Sequence, residues 1–205
     1  MIGIAAVIGL SMITVGPGAD ITHAQPVPVS TTPAHATRRP GPHSRPVMGR
    51  PRITYVDQPT LKAHDLIVWA VDRYLDAGLQ LPDLKISFPT FCGGKAALYH
   101  VGRRSIDFCF ISKRTVLHEF AHAWDDTSGR VNRQAFLELR GLTIWWGGTG
   151  MNSSEQGSEQ LAQIIAWGLM DVDTRGVPQL PANSVSELTE AFTMLTGGIR
   201  PRPLR

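Results

Sequence analysis

The chain has 205 residues, of which 42% are apolar and 18% are charged, and its formal net charge is +3. This length fits one domain with tails, and the composition excludes a wholly disordered chain and a polytopic membrane protein. The positive charge comes from the first 52 residues, which contain five arginines and a single acidic residue, whereas residues 53–205 are close to neutral. The sequence therefore predicts no nucleic-acid partner for the folded part.

The N-terminal residues have the pattern of an export signal. Residues 1–15 form an uncharged apolar run that is shorter than the roughly 20 residues of a membrane-spanning helix. Thr22 and Ala24 follow as small residues at the spacing that a signal peptidase requires. We therefore predict a signal peptide over residues 1–24 and a secreted or extracytoplasmic location at the cell envelope. The alternatives are an uncleaved N-terminal anchor, which is the one membrane contact that the sequence predicts, and a short apolar tail on a cytosolic protein.

Proline and arginine dominate the next segment. Residues 25–52 hold seven of the 15 prolines, all five of the N-terminal arginines, and neither an acidic nor an aromatic residue. Such a segment cannot bury enough apolar surface to offset its chain entropy, so we predict a disordered linker. The predicted domain covers residues 53–199, and residues 200–205 are predicted to form a basic tail.

Hydrophobic periodicity within the domain predicts a helix, a small sheet and then several helices. The helices are predicted at residues 61–75, 113–126, 133–142, 158–170 and 185–195, and the strands at residues 85–88, 96–101 and 105–110. This order of elements is typical of an α+β domain.

The chain contains two cysteines, Cys92 and Cys109. An even number of cysteines in an exported protein favours a disulfide, which for a loop of this size contributes about 3 kcal/mol to stability. Two buried free thiols are the alternative. Neither cysteine has the C-x-x-C partner that a cysteine-rich zinc site requires.

The clearest chemical signal is the sequence His118-Glu119-Phe120-Ala121-His122. Histidines four residues apart lie on one face of a helix, so both imidazoles can reach one metal ion. Glu119 is offset by about 100° around the helix, where it can act as a base for water activated by the metal. Two neutral imidazoles and a carboxylate suit a single zinc ion.

A zinc site of this kind needs a third protein ligand. No histidine follows His122, so we expect a carboxylate from another element. Glu159 is the favoured candidate, because Ala162 and Ala166 lie on its face of the predicted helix and allow a close approach to the helix with the histidines. Glu155 is the alternative ligand, although the residues around it indicate that the helix only begins there.

The motif His118-Glu119-x-x-His122, followed by Glu159 on a later helix, resembles the gluzincin class of zinc metallopeptidases, and in particular a small exported bacterial zincin. The resemblance covers residues 113–170. It implies a zincin-like fold in which a small sheet with an N-terminal helix precedes the histidine helix and several further helices follow. It further implies that His118, His122 and Glu159 bind zinc and that Glu119 is the general base.

The sequence departs from this class at two points. Gln163 stands where many members have an acid that orients a ligand histidine, and Asp126 is another candidate for that contact. No histidine or tyrosine follows His122 to stabilise the oxyanion of the transition state. The remaining candidate donors are Tyr99, His100, Arg130, Arg133, Arg140, Trp145, Trp146 and Arg175.

We therefore expect an exported zinc-dependent metallopeptidase that hydrolyses peptide bonds of a peptide or protein substrate. A non-catalytic zincin-like module that binds a cell-envelope component is the alternative. A third possibility keeps the zinc but uses another hydrolytic substrate, such as a wall amide. By analogy with zincin folds, Tyr99 and His100 on a strand before the active helix are candidates to face substrate.

Overall fold

A four-stranded mixed sheet and five α-helices make up the described part of the chain. The structure is a computed structural model that describes residues 49–128, 131–147, 152–172, 180 and 183–204. Its elements are β1 (Ile53–Tyr55), α1 (Leu61–Asp76), β2 (Leu84–Ser87), β3 (Ala97–His100), β4 (Ser105–Phe108), α2 (Lys113–Ser128), α3 (Arg133–Arg140), α4 (Gly157–Leu169) and α5 (Val185–Thr196). The α+β class is confirmed. The predicted signal peptide and most of the predicted linker lie outside the described residues.

The strands follow the order β1-β2-β4-β3 across the sheet. β1, β2 and β4 run parallel, and β3 pairs with β4 in the antiparallel direction at one edge. The sequence analysis did not predict β1, which is only three residues long. Its pairing, with Ile53 opposite Leu84, requires α1 to carry the chain back between two parallel strands.

Side chains of the sheet alternate between a buried face and an open face. Ile86 and Ile106 are fully buried on the face that packs against the helices. Ser87, His100 and Asp107 lie on the opposite face, where Asp107 Oδ1 accepts a hydrogen bond from Ser87 and Oδ2 is 2.9 Å from His100 Nε2. These two hydrogen bonds outweigh the effect of burial, so the pKa of Asp107 is lowered. The period-two pattern of the sequence therefore corresponds to a sheet covered on one side.

Local capping residues set the limits of the helices. Thr60 Oγ1 accepts a hydrogen bond from the backbone nitrogen of Ala63 at the start of α1. Ser184 and Glu187 form a reciprocal capping box at the start of α5. Gly141 ends α3 in the left-handed conformation, with a φ of 63°, which glycine adopts without steric cost.

Helix α4 lies at the centre of the domain. Every residue from Gly157 to Leu169 is buried except Glu159, which is partly exposed. Ala162 and Ala166 have no exposed surface, and α4 packs against α2 more extensively than any other two elements of the described part. The predicted close approach of these two helices is therefore confirmed.

Gly168 shows how tightly α4 packs against α5. A Cβ atom added at Gly168 would lie 2.1 Å from the ring of Phe192. We expect Gly168→Ala to lower the free energy of unfolding by a net of about 1–2 kcal/mol, because overpacking exceeds the roughly 1 kcal/mol that alanine gains over glycine in a helix. The melting temperature should fall by about 3–6 °C in a thermal melt. Gly49→Ala is the matched control, since no atom lies within 4 Å of its added Cβ. Equal melting temperatures for the two variants would contradict this packing.

Ordered packing begins before the predicted domain boundary at residue 53. Residues 49–52, the last four of the predicted linker, contact the domain. Arg50 pairs with Asp72 at 2.7 Å, and the carbonyl oxygen of Gly49 accepts a hydrogen bond from Gln80. Composition alone could not reveal these contacts, because their partners lie far along the chain.

The predicted basic tail of residues 200–205 belongs to the domain through residue 204. Pro201 is buried, and Arg202 pairs with Asp171 at 3.3 Å and with Asp76 at 3.7 Å. The positive charge of Arg202 therefore meets two carboxylates of the predicted domain.

Cys92 and Cys109 form a disulfide, as predicted, with a Cα–Cα distance of 5.9 Å. The bond ties the segment before β3 to the end of β4. A disulfide is compatible with an extracytoplasmic location, where the redox conditions allow it to persist. In the part of the chain that the structure describes, no helix has the length and apolar character needed to cross a membrane.

Candidate metal centre

Helix α2 places the two histidines of the motif side by side. The helix begins after Ser112, whose hydroxyl accepts a hydrogen bond from the backbone nitrogen of Thr115. The rings of His118 and His122 lie nearly perpendicular, with centroids 4.8 Å apart. Their Nε2 atoms face the same point and are separated by 3.2 Å. The predicted convergence of the two imidazoles is thus present in the structure.

Glu159 completes the cluster from the first turn of α4. One of its carboxylate oxygens is 3.3 Å from His118 Nε2 and the other is 3.4 Å from His122 Nε2. The three residues form a group that can hold a metal ion. Glu155 is exposed in a short 3₁₀ turn before α4 and lies outside this group. Between the two candidate carboxylates, the structure brings Glu159 to the histidines.

His122 and Glu159, two members of this group, shift each other's pKa values. Burial alone would raise the pKa of Glu159, but its hydrogen bonds to both histidines hold that pKa well below its usual range. Burial alone would lower the pKa of His122, but the hydrogen bond to Glu159 and the charges of Glu119, Glu159 and Asp125 outweigh it and raise that pKa. A dense negative environment thus surrounds the imidazoles and favours a cation at this point.

Glu119 lies next to the cluster but does not belong to it. Its side chain is only 6% exposed, and it forms no hydrogen bond or ion pair within the described residues. Its negative charge contributes to the raised pKa of His122, so the two side chains are close. A buried carboxylate is costly unless a positive group or hydrogen-bond donor meets it. Glu119 therefore lies where a base could accept a proton from water beside a bound metal ion.

The two histidines lack the outer contact that ligand histidines usually have. The buried Nδ1 atoms of His118 and His122 have no hydrogen-bond partner among the described residues. Gln163, a predicted candidate for this contact, accepts a hydrogen bond from Arg114 instead. Asp126, the other candidate, accepts one from the Tyr99 hydroxyl at 2.7 Å. Among the described residues, neighbouring rings and Glu159 contact the imidazoles, and no outer carboxylate does.

Aromatic rings provide this packing around His122. The ring of Tyr99, from the edge strand β3, lies nearly parallel to that of His122 with centroids 6.4 Å apart. The ring of Trp146 is 6.0 Å from it, and Trp146 is 37% exposed. Trp124 and Trp167 are 1% exposed and belong to the core. Of these tryptophans, Trp146 is thus the one that presents surface beside the cluster.

An ion pair between the buried Asp125 and the partly exposed Arg133 holds the segment that carries Trp146. Asp125 accepts hydrogen bonds from Arg133 Nε at 3.2 Å and from Trp145 Nε1 at 3.0 Å. The Arg133 guanidinium also lies over the rings of both Trp145 and Trp146, at 5.2 and 5.9 Å. Although Arg133 and Trp145 oppose the effect, burial raises the pKa of Asp125. The network fixes the tryptophan segment against α2.

Most of the predicted oxyanion donors are committed to other partners. Tyr99 donates to Asp126, His100 lies beside Asp107 on the open face of the sheet, and Arg133 and Trp145 donate to Asp125. Arg140 donates to Gln160 and Asn183. Arg130 and Arg175 lie outside the described residues. Only Trp146, of the described candidates, is beside the cluster without such a hydrogen bond.

One polar residue near the His118, His122 and Glu159 group, Arg114, was not predicted from the sequence. Arg114 lies on α2 one turn before His118, and its partner Gln163 lies on α4 one turn after Glu159. The four-residue spacing from His118 was visible in the sequence, but the antiparallel contact of the two helices was not.

Comparison of the chain with protein-family models, with curated proteins and with solved structures finds no match.

Proposed function

We propose that this protein is a zinc-dependent peptidase whose metal ligands are His118, His122 and Glu159. The observation that carries the proposal is the convergence of two imidazole nitrogens and a carboxylate beside a second, buried carboxylate, Glu119. Two histidines and a glutamate are a known ligand set of catalytic zinc, which leaves one coordination position open.

The spacing of the donor atoms supports zinc. In a tetrahedral site with bonds of about 2.0–2.1 Å, the ligand atoms are about 3.3–3.4 Å apart. The Nε2 atoms of His118 and His122 are 3.2 Å apart, and they lie 3.3 and 3.4 Å from the two different carboxylate oxygens of Glu159. The two nitrogens therefore have the spacing of zinc ligands, and the carboxylate is close enough to supply the third ligand atom.

Glu119 supplies the proton transfers of the proposed reaction. Zinc, when bound, polarises a carbonyl group and makes a water molecule more acidic. The Glu119 carboxylate takes a proton from the attacking water and later delivers it to the nitrogen of the leaving amine. Because Glu119 is 6% exposed, bulk water does not compete strongly for this carboxylate.

The surroundings of the cluster suit an extended peptide. β3 is the last strand in the sheet order, and its Tyr99 lies beside His122. An edge strand can add an extended peptide through main-chain hydrogen bonds. Trp146 offers a partly exposed aromatic surface near His122, against which an apolar substrate side chain can pack.

The proposal includes action outside the cytoplasm. The disulfide between Cys92 and Cys109 supports it, since such bonds persist in oxidising compartments. A peptide or protein of the cell envelope is the proposed substrate class.

Hydrolysis of a peptide library by the full chain tests the proposal. We expect zinc-loaded protein to cleave peptides, treatment with a chelator to reduce cleavage to background, and added zinc to restore it, because the site supplies the metal's chemistry only when loaded. Mass spectrometry of the products identifies the bonds that are cut. A chain that binds one zinc ion per molecule and cleaves no peptide would contradict the peptidase assignment.

A further inference from the structure

The half-buried arginine Arg114 lies next to the candidate metal site and has no role in the proposed reaction. It lies on α2 four residues before His118, on the face of the helix that carries both histidines. One turn of helix separates the two residues by about 6 Å along the axis. Arg114 and His118 are both partly exposed, while the residues between them on the inner face, Val116 and Leu117, are fully buried.

The packing of α2 against α4 places Arg114 in the layer next to the metal ligands. Glu159 contacts His118 and His122, and Gln163, one turn further along α4, contacts Arg114. The two helices therefore run in opposite directions, and the Arg114–Gln163 layer adjoins the His118–Glu159 layer directly.

The charge of Arg114 is not compensated within the described residues. Its hydrogen-bond partner, Gln163, is neutral, and no carboxylate of the described part forms an ion pair with it. By contrast, Arg73, Arg133 and Arg202 each pair with an aspartate, and Arg140, which donates to the neutral Gln160 and Asn183, is partly compensated by the charge of Glu187. Burial lowers the pKa of Arg114 with no opposing charge. A half-buried cation without an anion is an unfavourable arrangement that an anionic ligand would relieve.

We infer that Arg114 binds a carboxylate of the substrate, so that the site prefers peptides with a negative charge close to the scissile bond. This inference rests on the proposed peptidase function. A guanidinium offers a planar pair of donors that matches a carboxylate, and the single charge of Arg114 suits a monoanion. Lys113, its neighbour, lies instead over the ring of Trp69 at 5.0 Å.

The distance along α2 limits where that carboxylate lies in the substrate. An extended peptide advances about 3.3–3.6 Å per residue, so a span of about 6 Å corresponds to roughly two residues. A carboxylate about two residues from the scissile bond is either the C-terminus of a substrate cut near its end or an acidic side chain. Both sources present the same chemistry to Arg114.

Peptide binding to zinc-loaded Glu119→Gln full-length protein tests the inference without hydrolysis. The probes are three N-acetylated tetrapeptides: one with a free C-terminal carboxylate, the same peptide as an amide, and an amide with glutamate as its last residue. We expect at least one carboxylate peptide to bind about tenfold more tightly than the neutral amide in calorimetric titration, because charge-assisted hydrogen bonds are the strong ones. The peptide that shows the preference identifies the source of the carboxylate.

Substitutions test whether Arg114 is the group that causes the preference for a peptide with a carboxylate. Arg114→Gln should abolish the difference between charged and neutral peptides, and Arg114→Lys should retain part of it. Arg52→Gln makes the same charge change beside β1, at the opposite edge of the sheet from β3, and should leave the difference unchanged. Circular dichroism and a thermal melt establish that each variant is folded.

Several outcomes would overturn the inference. Equal affinity for the three peptides, or no measurable binding of any of them at millimolar concentration, would show that Arg114 serves only to join α2 to α4. A preference that survives Arg114→Gln would assign the carboxylate to another group, such as the metal. Hydrolysis by protein with intact Glu119 is measured separately. Cleavage without a charge preference would refute the role of Arg114 and leave the peptidase assignment standing. A charge preference in binding without any cleavage would support the role of Arg114 and refute the peptidase assignment.

Discussion

Replacement of Glu119 by glutamine should lower peptide hydrolysis at least about a hundredfold while leaving one zinc ion bound per chain. The rate should fall because a positioned general base contributes roughly 10²–10⁴-fold, and an amide cannot accept the proton from water. Metal binding should persist because Glu119 lies outside the group formed by His118, His122 and Glu159. Steady-state hydrolysis and elemental analysis of the same preparation measure both quantities.

Glutamine is the appropriate replacement because Glu119 is buried. An amide of nearly the same shape leaves no cavity, so that a loss of activity does not reflect a loss of packing. Gln134→Ala, on the exposed surface of α3 where it contacts Glu138, is a control that should leave both rate and zinc unchanged. Full turnover by Glu119→Gln would refute the role of this residue as base. Full zinc in a wild-type chain that turns over no substrate would favour the metal-dependent binding module instead.

Local sequence patterns predicted the helices well because their signals are local. The starts of α1, α2, α3 and α5 coincide with the predicted residues, and that of α4 differs by one residue. The short strand β1 escaped prediction because three residues carry too little periodicity, and its partner in the parallel ladder lies beyond α1 in the chain. Contacts that cross the two predicted domain boundaries escaped prediction for a similar reason. The sequence alone assigns Arg50 and Arg202 to charged tails, because their aspartate partners lie far away in the chain.

In the candidate site, too, the local features were predictable and the contacts between distant residues were not. Helical spacing alone placed His118 and His122 on one face, and small residues on α4 correctly indicated that this helix approaches α2 closely. The partners of Gln163 and Asp126 were not predictable, because they depend on the antiparallel layering of α2 and α4 and on the position of the strand β3. Sequence spacing therefore identified residues that can hold a metal ion together, but tertiary contacts determine what surrounds them.

Replacement of Glu159 by alanine should remove most of the zinc from the protein. This residue provides the one carboxylate in the three-residue group, and the two histidines that remain cannot hold the ion as tightly. Loss of a contact outside the ligand shell already lowers metal affinity by about 10–100-fold, so loss of a ligand should lower it by roughly a hundredfold or more. Competition with a zinc-binding dye, after the metal has been stripped and returned, measures the affinity of each variant.

Glu155→Ala provides the matched control for that measurement. It removes the same side chain four residues earlier, from an exposed position in the turn that precedes α4. We expect Glu155→Ala to bind zinc as the wild type does, because Glu155 lies outside the group of converging ligands. The reverse result, with zinc lost from Glu155→Ala and kept by Glu159→Ala, would require α4 to begin earlier once metal is bound. Equal zinc in both variants would place the third ligand elsewhere while leaving the two histidines as the core of the site, and no zinc in folded wild-type protein would refute the metal centre itself.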